Sequence, residues 1–393
     1  MLQKSKNRKL KATTIIYIIL AALVVVLNIV AWNSTTFCDA YIKYIFPIWV
    51  NTYGRITGIF PFSVGEILLV LVVCSVVITI LLFICIFLSA VYRLSLRKAH
   101  SAGKIHPRLW KISKGYFCWF AWVVLIVCMI MTLNCTILYH ASTFSEHYYG
   151  EEEGDYTLED LIRVRNMVVE KCNALSMEME RDAEGNLVYH GDMEAAAIAA
   201  MQKLGNTYDQ LDGYYPRPKP LAASDFFSQQ YICGYYFPFS MEANYNDVMY
   251  IMNKPATMCH ELAHLRGYIF EDEANFISYL ACIQSGDKFF EYSGYLSVLY
   301  YLDNDLFDAT TVDFEGWEVY MAQPAILEQV DKDNIFLKEE DWGRINDNAV
   351  IDTETVDEIS DTFTDTTLKI NGVSDGIVSY NRVVELLLWY YDK

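Results

Sequence analysis

The stretch "TMCHELAHLRGYIFEDEANF", residues 257–276, holds residue types that bind a metal and activate water on it. On a helix, positions four apart share a face, so His260 and His264 can present imidazole nitrogens to one ion. Glu261, one position past the first histidine, then reaches a water beside the ion without ligating the ion itself. Zn2+ held in this way lowers the pKa of water towards roughly 7 and polarises a carbonyl, while the glutamate takes the proton and hands it to a leaving amine. The plain alternative is a helix with two histidines on a packed or solvated face, and a third ligand discriminates between the two. His264 is the last histidine in the chain, so that ligand has to be a carboxylate.

The elements around the motif must supply it. Gly267 stands where a helix can end in a left-handed turn, letting a second helix begin near Glu271. On that helix Glu271 and Asn275 share a face, whereas Glu273 points roughly 200° around the axis. Glu271 is therefore the preferred ligand, with Asn275 beneath it to orient a histidine's second nitrogen. Glu273 stays as the alternative, because only six residues separate His264 from Glu271. Helical patterns cover 255–267, 271–285 and 288–302, preceded by a helix from a Thr157/Asp160 capping box to about 179 and another over 191–204. Alternate prolines keep 214–224 extended, and the aromatic segment 230–246 reads as one or two edge-type strands. Within it "YYFPFSMEAN" precedes the motif helix, where an edge strand could pair with an extended peptide. Glu242 in that strand, with Tyr380 and Arg382 near the C-terminus, are candidate substrate or oxyanion contacts, set against ordinary packing and surface roles. The ending "VVELLLWYY" reads as an amphipathic helix sealing the core.

Charge divides the chain. Residues 1–141 carry 14 Lys/Arg and 2 Asp/Glu, a net of +12, while residues 142–393 carry 16 and 47, a net of −31. The first part contains three apolar runs, near 13–32, 64–92 and 116–138, each long enough to cross a bilayer, which takes about 20 residues. The first run follows a basic leader but lacks a small-x-small cleavage site and exceeds a signal peptide's apolar centre, so it reads as an uncleaved span. Five basic residues in 1–12 and seven in 93–115, with no acid, place the N-terminus and that loop in the cytoplasm and residues 142–393 outside the plasma membrane. The aromatic segment 41–63, interrupted by Pro47, Gly54, Gly58 and Pro61, reads as interfacial. Three spans without a repeat, charged only at Glu66, argue against a transporter. A domain of net −31 excludes nucleic acid and anionic lipid surfaces as electrostatic partners. Five cysteines lie in the spans, and the other five, Cys38, Cys172, Cys233, Cys259 and Cys282, show no C-x-x-C spacing, so they make no disulfide framework; a single bridge stays open. The fold class expected is mainly α: a membrane domain (1–141) with three transmembrane helices, followed by an extracytoplasmic, mostly helical domain (142–393) with a small sheet.

"HELAH" followed by "EDEAN" resembles the gluzincin metallopeptidases, in which H-E-x-x-H is completed by a Glu on a following helix with an Asp four residues later. Here Asn275 stands in the Asp place and the spacer is shorter. The stretch from "GYYFPFSMEANYN" through "CHELAHLRGYIFEDEANFISYLAC", the three leading spans and the ending "LKINGVSDGIVSYNRVVELLLWYY" resemble a bacterial membrane-protein family of unknown function, over most of the chain. The resemblance implies a zincin-like α+β outer domain with Zn2+ on His260, His264 and Glu271. It implies a membrane-anchored metallopeptidase that hydrolyses peptide or protein substrates at the outer face of the membrane. The rival is a catalytically inactive zinc-binding sensor or scaffold engaging a cell-envelope partner. Glu261 beside the ligands favours hydrolysis, since a purely structural site has no use for a base.

Overall fold

A computed structural model describes residues 11–98, 107–150, 156–373 and 382–392. Most of the basic leader (1–10), residues 99–106 of the basic loop, residues 151–155 of the acidic linker and Tyr380 lie outside the described residues.

The molecule is mainly helical. Among the described residues, three apolar helical stretches, Ala12–Asn33, Val64–Tyr92 and Leu109–His140, have the length and composition to cross a membrane. The third starts earlier than its apolar run, at Pro107, because proline fits a first helical turn and "RLWKISKG" prolongs the helix. Its C-terminal end tightens through a π-helical turn, Thr132–Thr136, and a 3-10 turn, Leu138–His140. Two polar contacts link these stretches: Asn28 Nδ2 donates to Thr132 Oγ1 at 2.8 Å, and Thr79 meets the Tyr116 hydroxyl at 2.8 Å.

Between the first two apolar helices the chain forms a nearly continuous helical band, Thr35–Tyr44, Phe46–Trp49, Val50–Gly54 and Arg55–Thr57. Pro47 does not break it, since it falls in a first turn where its missing N–H is not needed. One face of the band, with Cys38, Tyr41, Ile42, Phe46 and Val50, is buried in the same core as the later residues. The opposite face and the turn after it leave Tyr44, Ile48, Ile56, Ile59 and Phe60 exposed, so the band is two-sided.

Beyond the third apolar stretch, Leu158–Ser176 starts at the expected capping box and Met193–Gly205 at an Asp192 cap. They pack on three successive helices, Lys254–His264, Glu271–Gln284 and Lys288–Thr310, whose shared seam buries Cys259, Leu262, Ala263, Ala274, Ile277 and Leu299 completely. The C-terminal Val383–Asp392 closes this stack, as its apolar alternation suggests. The sheet has β1 (Lys219–Pro220), β2 (Gly234–Phe237) and β3 (Glu242–Tyr245) in the order β1-β3-β2, with β3 parallel to β1 and antiparallel to β2. The segment 230–246 therefore yields one edge strand, β2, and one central strand, β3, buried at all four residues.

A polar joint ties the sheet to the second apolar helix. Glu242 accepts hydrogen bonds from the amides of Val64 (3.2 Å) and Gly65 (2.8 Å), which have no partner within their own helix, and it pairs with buried Lys219. Lys219 also donates to the carbonyls of Thr57 (2.8 Å) and Phe62 (3.0 Å). In return, Glu66 of that helix accepts from the amides of Ala222 (2.9 Å) and Ala223 (2.8 Å). All ten cysteines are free; Cys259 Sγ and Cys282 Sγ lie 3.9 Å apart, buried and without a disulfide.

Candidate metal centre

The helix Lys254–His264 ends at the second histidine, and Gly267 reverses the chain as the spacing suggests. Its φ of +93° is left-handed, its amide donates to the His264 carbonyl at 3.0 Å, and a Cβ there would lie 2.8 Å from Ile42 Cγ2. Both conformation and space require glycine. The next helix begins at Glu271, so the six-residue connection is long enough to bring that carboxylate back over the histidines. His260 Nε2 lies 2.9 Å from Glu271 Oε2 and 3.1 Å from His264 Nε2, and His264 Nε2 lies 3.8 Å from Glu271 Oε2. Four-coordinate zinc with bonds of about 2.0–2.1 Å spaces its ligand atoms about 3.3 Å apart, a value these three separations bracket.

The hydrogen bonds behind the rings fix what the front presents. His264 Nδ1 lies 2.7 Å from the carbonyl of Tyr268, which can only accept, so Nδ1 carries the proton and a neutral ring offers the Nε2 lone pair forward. His260 Nδ1 is held in the same way, 2.8 Å from Asn275 Oδ1. Three electron-rich atoms thus converge, the arrangement a cation satisfies. Without an ion, a proton answers the same need. Burial by itself would lower the His260 imidazole, but its hydrogen bond to Glu271 and the charge of that carboxylate outweigh burial and push it up to about 9. For His264 burial wins and the ring falls to about 4, so it stays neutral.

Glu261 is almost fully enclosed. Burial raises its carboxyl to about 8, against the pull of His260. Its Oε2 is buried with no hydrogen-bond partner. Beneath it, a Cβ on Gly234 would come within 2.5 Å of Glu261 Oε1, so only glycine lets the strand lie this close to the helix. The side chains of His260 and Glu271 keep 14% and 23% exposure, which leaves the cluster open on one side.

The remaining candidates lie elsewhere. Glu273 turns away from the histidines, as the helix phase requires, and accepts from Ser145 Oγ at 2.7 Å; burial, helped by Asp272, raises it to about 7. Glu242, expected to meet substrate or solvent, is 1% exposed and is taken up by the joint with Lys219 and the second apolar helix. Arg382 sits 3.5 Å from Asp272 Oδ2 rather than on the cluster. Three further neighbours were not singled out from the sequence. The Tyr268 carbonyl is a backbone group and leaves no side-chain signal. Gly234 was visible as a glycine inside a strand pattern, which marks close approach. Tyr235, on the same strand, is 40% exposed, and partial burial with nearby Cys135, Glu261 and Glu271 holds its phenol up at about 12, so it remains a proton donor.

No curated protein and no solved structure matches the chain. One family profile does, described as "Protein of unknown function (DUF3810)", over residues 41–388, a range that takes in most of the helical band, the second and third apolar stretches, the sheet and the His260, His264, Glu271 cluster. The chain belongs to the DUF3810 family of proteins of unknown function.

Proposed function

We propose that this protein is a membrane-anchored, zinc-dependent peptide hydrolase with His260, His264 and Glu271 as metal ligands and Glu261 as general base. The observation that carries the reading is the convergence of three lone-pair atoms beside a buried carboxylate oxygen that has no partner. Zinc held there would polarise the scissile carbonyl and acidify water. The chain's own residues do the rest. Asn275 and the Tyr268 carbonyl lock the two rings in the ligating tautomer. Glu261 keeps its unpartnered Oε2 for taking up the proton of water and passing it to the leaving amine. Among the described residues β2 pairs with β3 alone, and the residues alternating with those bonded to β3 turn their amide groups to its other edge, where an extended peptide can add. Helix, edge strand and following acidic helix together support a zincin-like reading of residues 142–393.

The basic residues of 1–12 and 93–115 support a cytoplasmic N-terminus and loop, with the metal cluster outside the plasma membrane. An impermeant thiol reagent should then label a cysteine introduced at 142–150 in intact cells and spare one introduced at 107–115. For the chemistry, Glu261→Gln should retain zinc and fold while peptide-library cleavage falls roughly 10²–10⁴-fold, the contribution of a general base. Equal cleavage and equal cellular phenotype for Glu261→Gln and the parent would leave the zinc-binding sensor or scaffold reading in possession.

A further inference from the structure

We infer that the site cuts peptide segments lying against the membrane surface, so that its substrates are the juxtamembrane stretches of membrane-anchored proteins; this rests on the hydrolase reading above. The inference comes from what each part of the site touches. β2 runs from Gly234, against Glu261, to Phe237, whose ring sits so close to Gly65 at the start of the second apolar helix that a Cβ there would be 2.6 Å from its Cγ. The residue after the strand, Pro238, accepts a hydrogen bond from Asn134 Nδ2 (2.8 Å) at the outer end of the third apolar stretch, and Ser240 accepts from Thr57 Oγ1 (2.8 Å) in the helical band. The turn after the second histidine rests on the same band, Gly267 against Ile42. Phe270, which precedes the ligand Glu271, packs edge-on against Tyr139 in the last turn of the third apolar stretch, with ring centroids 5.5 Å apart. All three pieces of the site therefore stand on elements that end, or lie, at the membrane boundary.

The scale is short. Four residues of strand cover about 13 Å. A peptide added along β2 with its scissile bond at Glu261 reaches the level of Gly65 and Asn134 within about four residues, whichever way it runs. There the band and the turn after it expose Ile48, Ile56, Ile59 and Phe60, an apolar surface suited to the bilayer boundary. A chain emerging from a neighbouring span enters this edge directly, whereas a segment far from any membrane has to descend to it.

The test uses the full-length protein in proteoliposomes with a single-span reporter carrying a randomised, flexible 40-residue segment on the side of the metal cluster. Mass spectrometry maps each cut by its distance from the reporter's span. The same randomised segment, detached and soluble, is assayed beside it, and Glu261→Gln serves as the blank. Glu261-dependent cuts should fall within about eight residues of the span, and the detached segment should be cut at least tenfold more slowly. Cuts spread evenly along the segment, or clustered at its far end, would overturn the juxtamembrane assignment while leaving hydrolysis intact. So would detached segments cut as fast as anchored ones. No Glu261-dependent cut in either form would overturn the hydrolase reading and this inference with it.

Discussion

Asn275 offers the sharpest test of the metal centre, because two replacements at this one position should move zinc affinity in opposite directions. Its Oδ1 accepts the His260 Nδ1 proton at 2.8 Å and so aims Nε2 at His264 and Glu271. Asn275→Leu keeps the bulk and removes the acceptor. Loss of such a partner behind a ligating histidine weakens metal binding about 10- to 100-fold, which converts to roughly 1.4–2.7 kcal/mol. Asn275→Asp keeps the acceptor and charges it; a charge-assisted bond is about twice as strong as a neutral one, so zinc should bind about five- to tenfold more tightly. The assay is competition between detergent-solubilised full-length protein, stripped by a chelator, and a chromophoric zinc chelator at one fixed pH. Far-ultraviolet circular dichroism of each variant controls for folding. If Asn275→Leu binds within twofold of the parent, or if Asn275→Asp binds more weakly, His260 is not a ligand oriented from behind and the lone-pair argument fails.

Three further outcomes are expected. In the same zinc competition, Glu271→Ala should lose tight binding while Glu273→Ala keeps it, since Glu273 bonds Ser145 and not the histidines; the reverse result would exchange their roles. Glu242→Ala should lower stability by about 3–5 kcal/mol, because it strands the Lys219 ammonium in a buried site. Pairing it with Lys219→Met should recover much of the loss in thermal melts, and an unchanged melting temperature for Glu242→Ala would show that the joint contributes nothing. Glu261→Gln should separate zinc content, unchanged, from cleavage rate, reduced, as set out above.

The histidine helix, its glycine stop and the helix starting at Glu271 were legible because each depends on local rules: four-residue spacing, a left-handed cap and helix phase. The same phase rule brought Asn275 behind His260 and turned Glu273 away. Glu242 was misjudged for a different reason. A carboxylate in an aromatic strand reads as surface unless its cation is known, and Lys219 lies 23 residues away with helix amides a further 155 residues upstream of it. Likewise the segment 41–63 announced an interface through its aromatics, but its helical continuity and its share in the core depend on residues 142–393 packing against it. Periodicity shows that a face exists. It does not say which distant element will cover it.

The joint at Gly65 has a consequence for how the protein is made. The amide it supplies and the Glu242 carboxylate that receives it are 177 residues apart. At about 5–20 residues per second of synthesis, roughly 9–35 s pass between their emergence. Throughout that interval the second apolar helix is already on the ribosome's exit side with its first amides unanswered, and Ile42, Phe46 and Val50 have no core to enter. Assembly of this chain therefore finishes at its beginning, and a nascent chain stalled before residue 242 presents an uncapped helix and a bare apolar band to the cell's quality-control proteases.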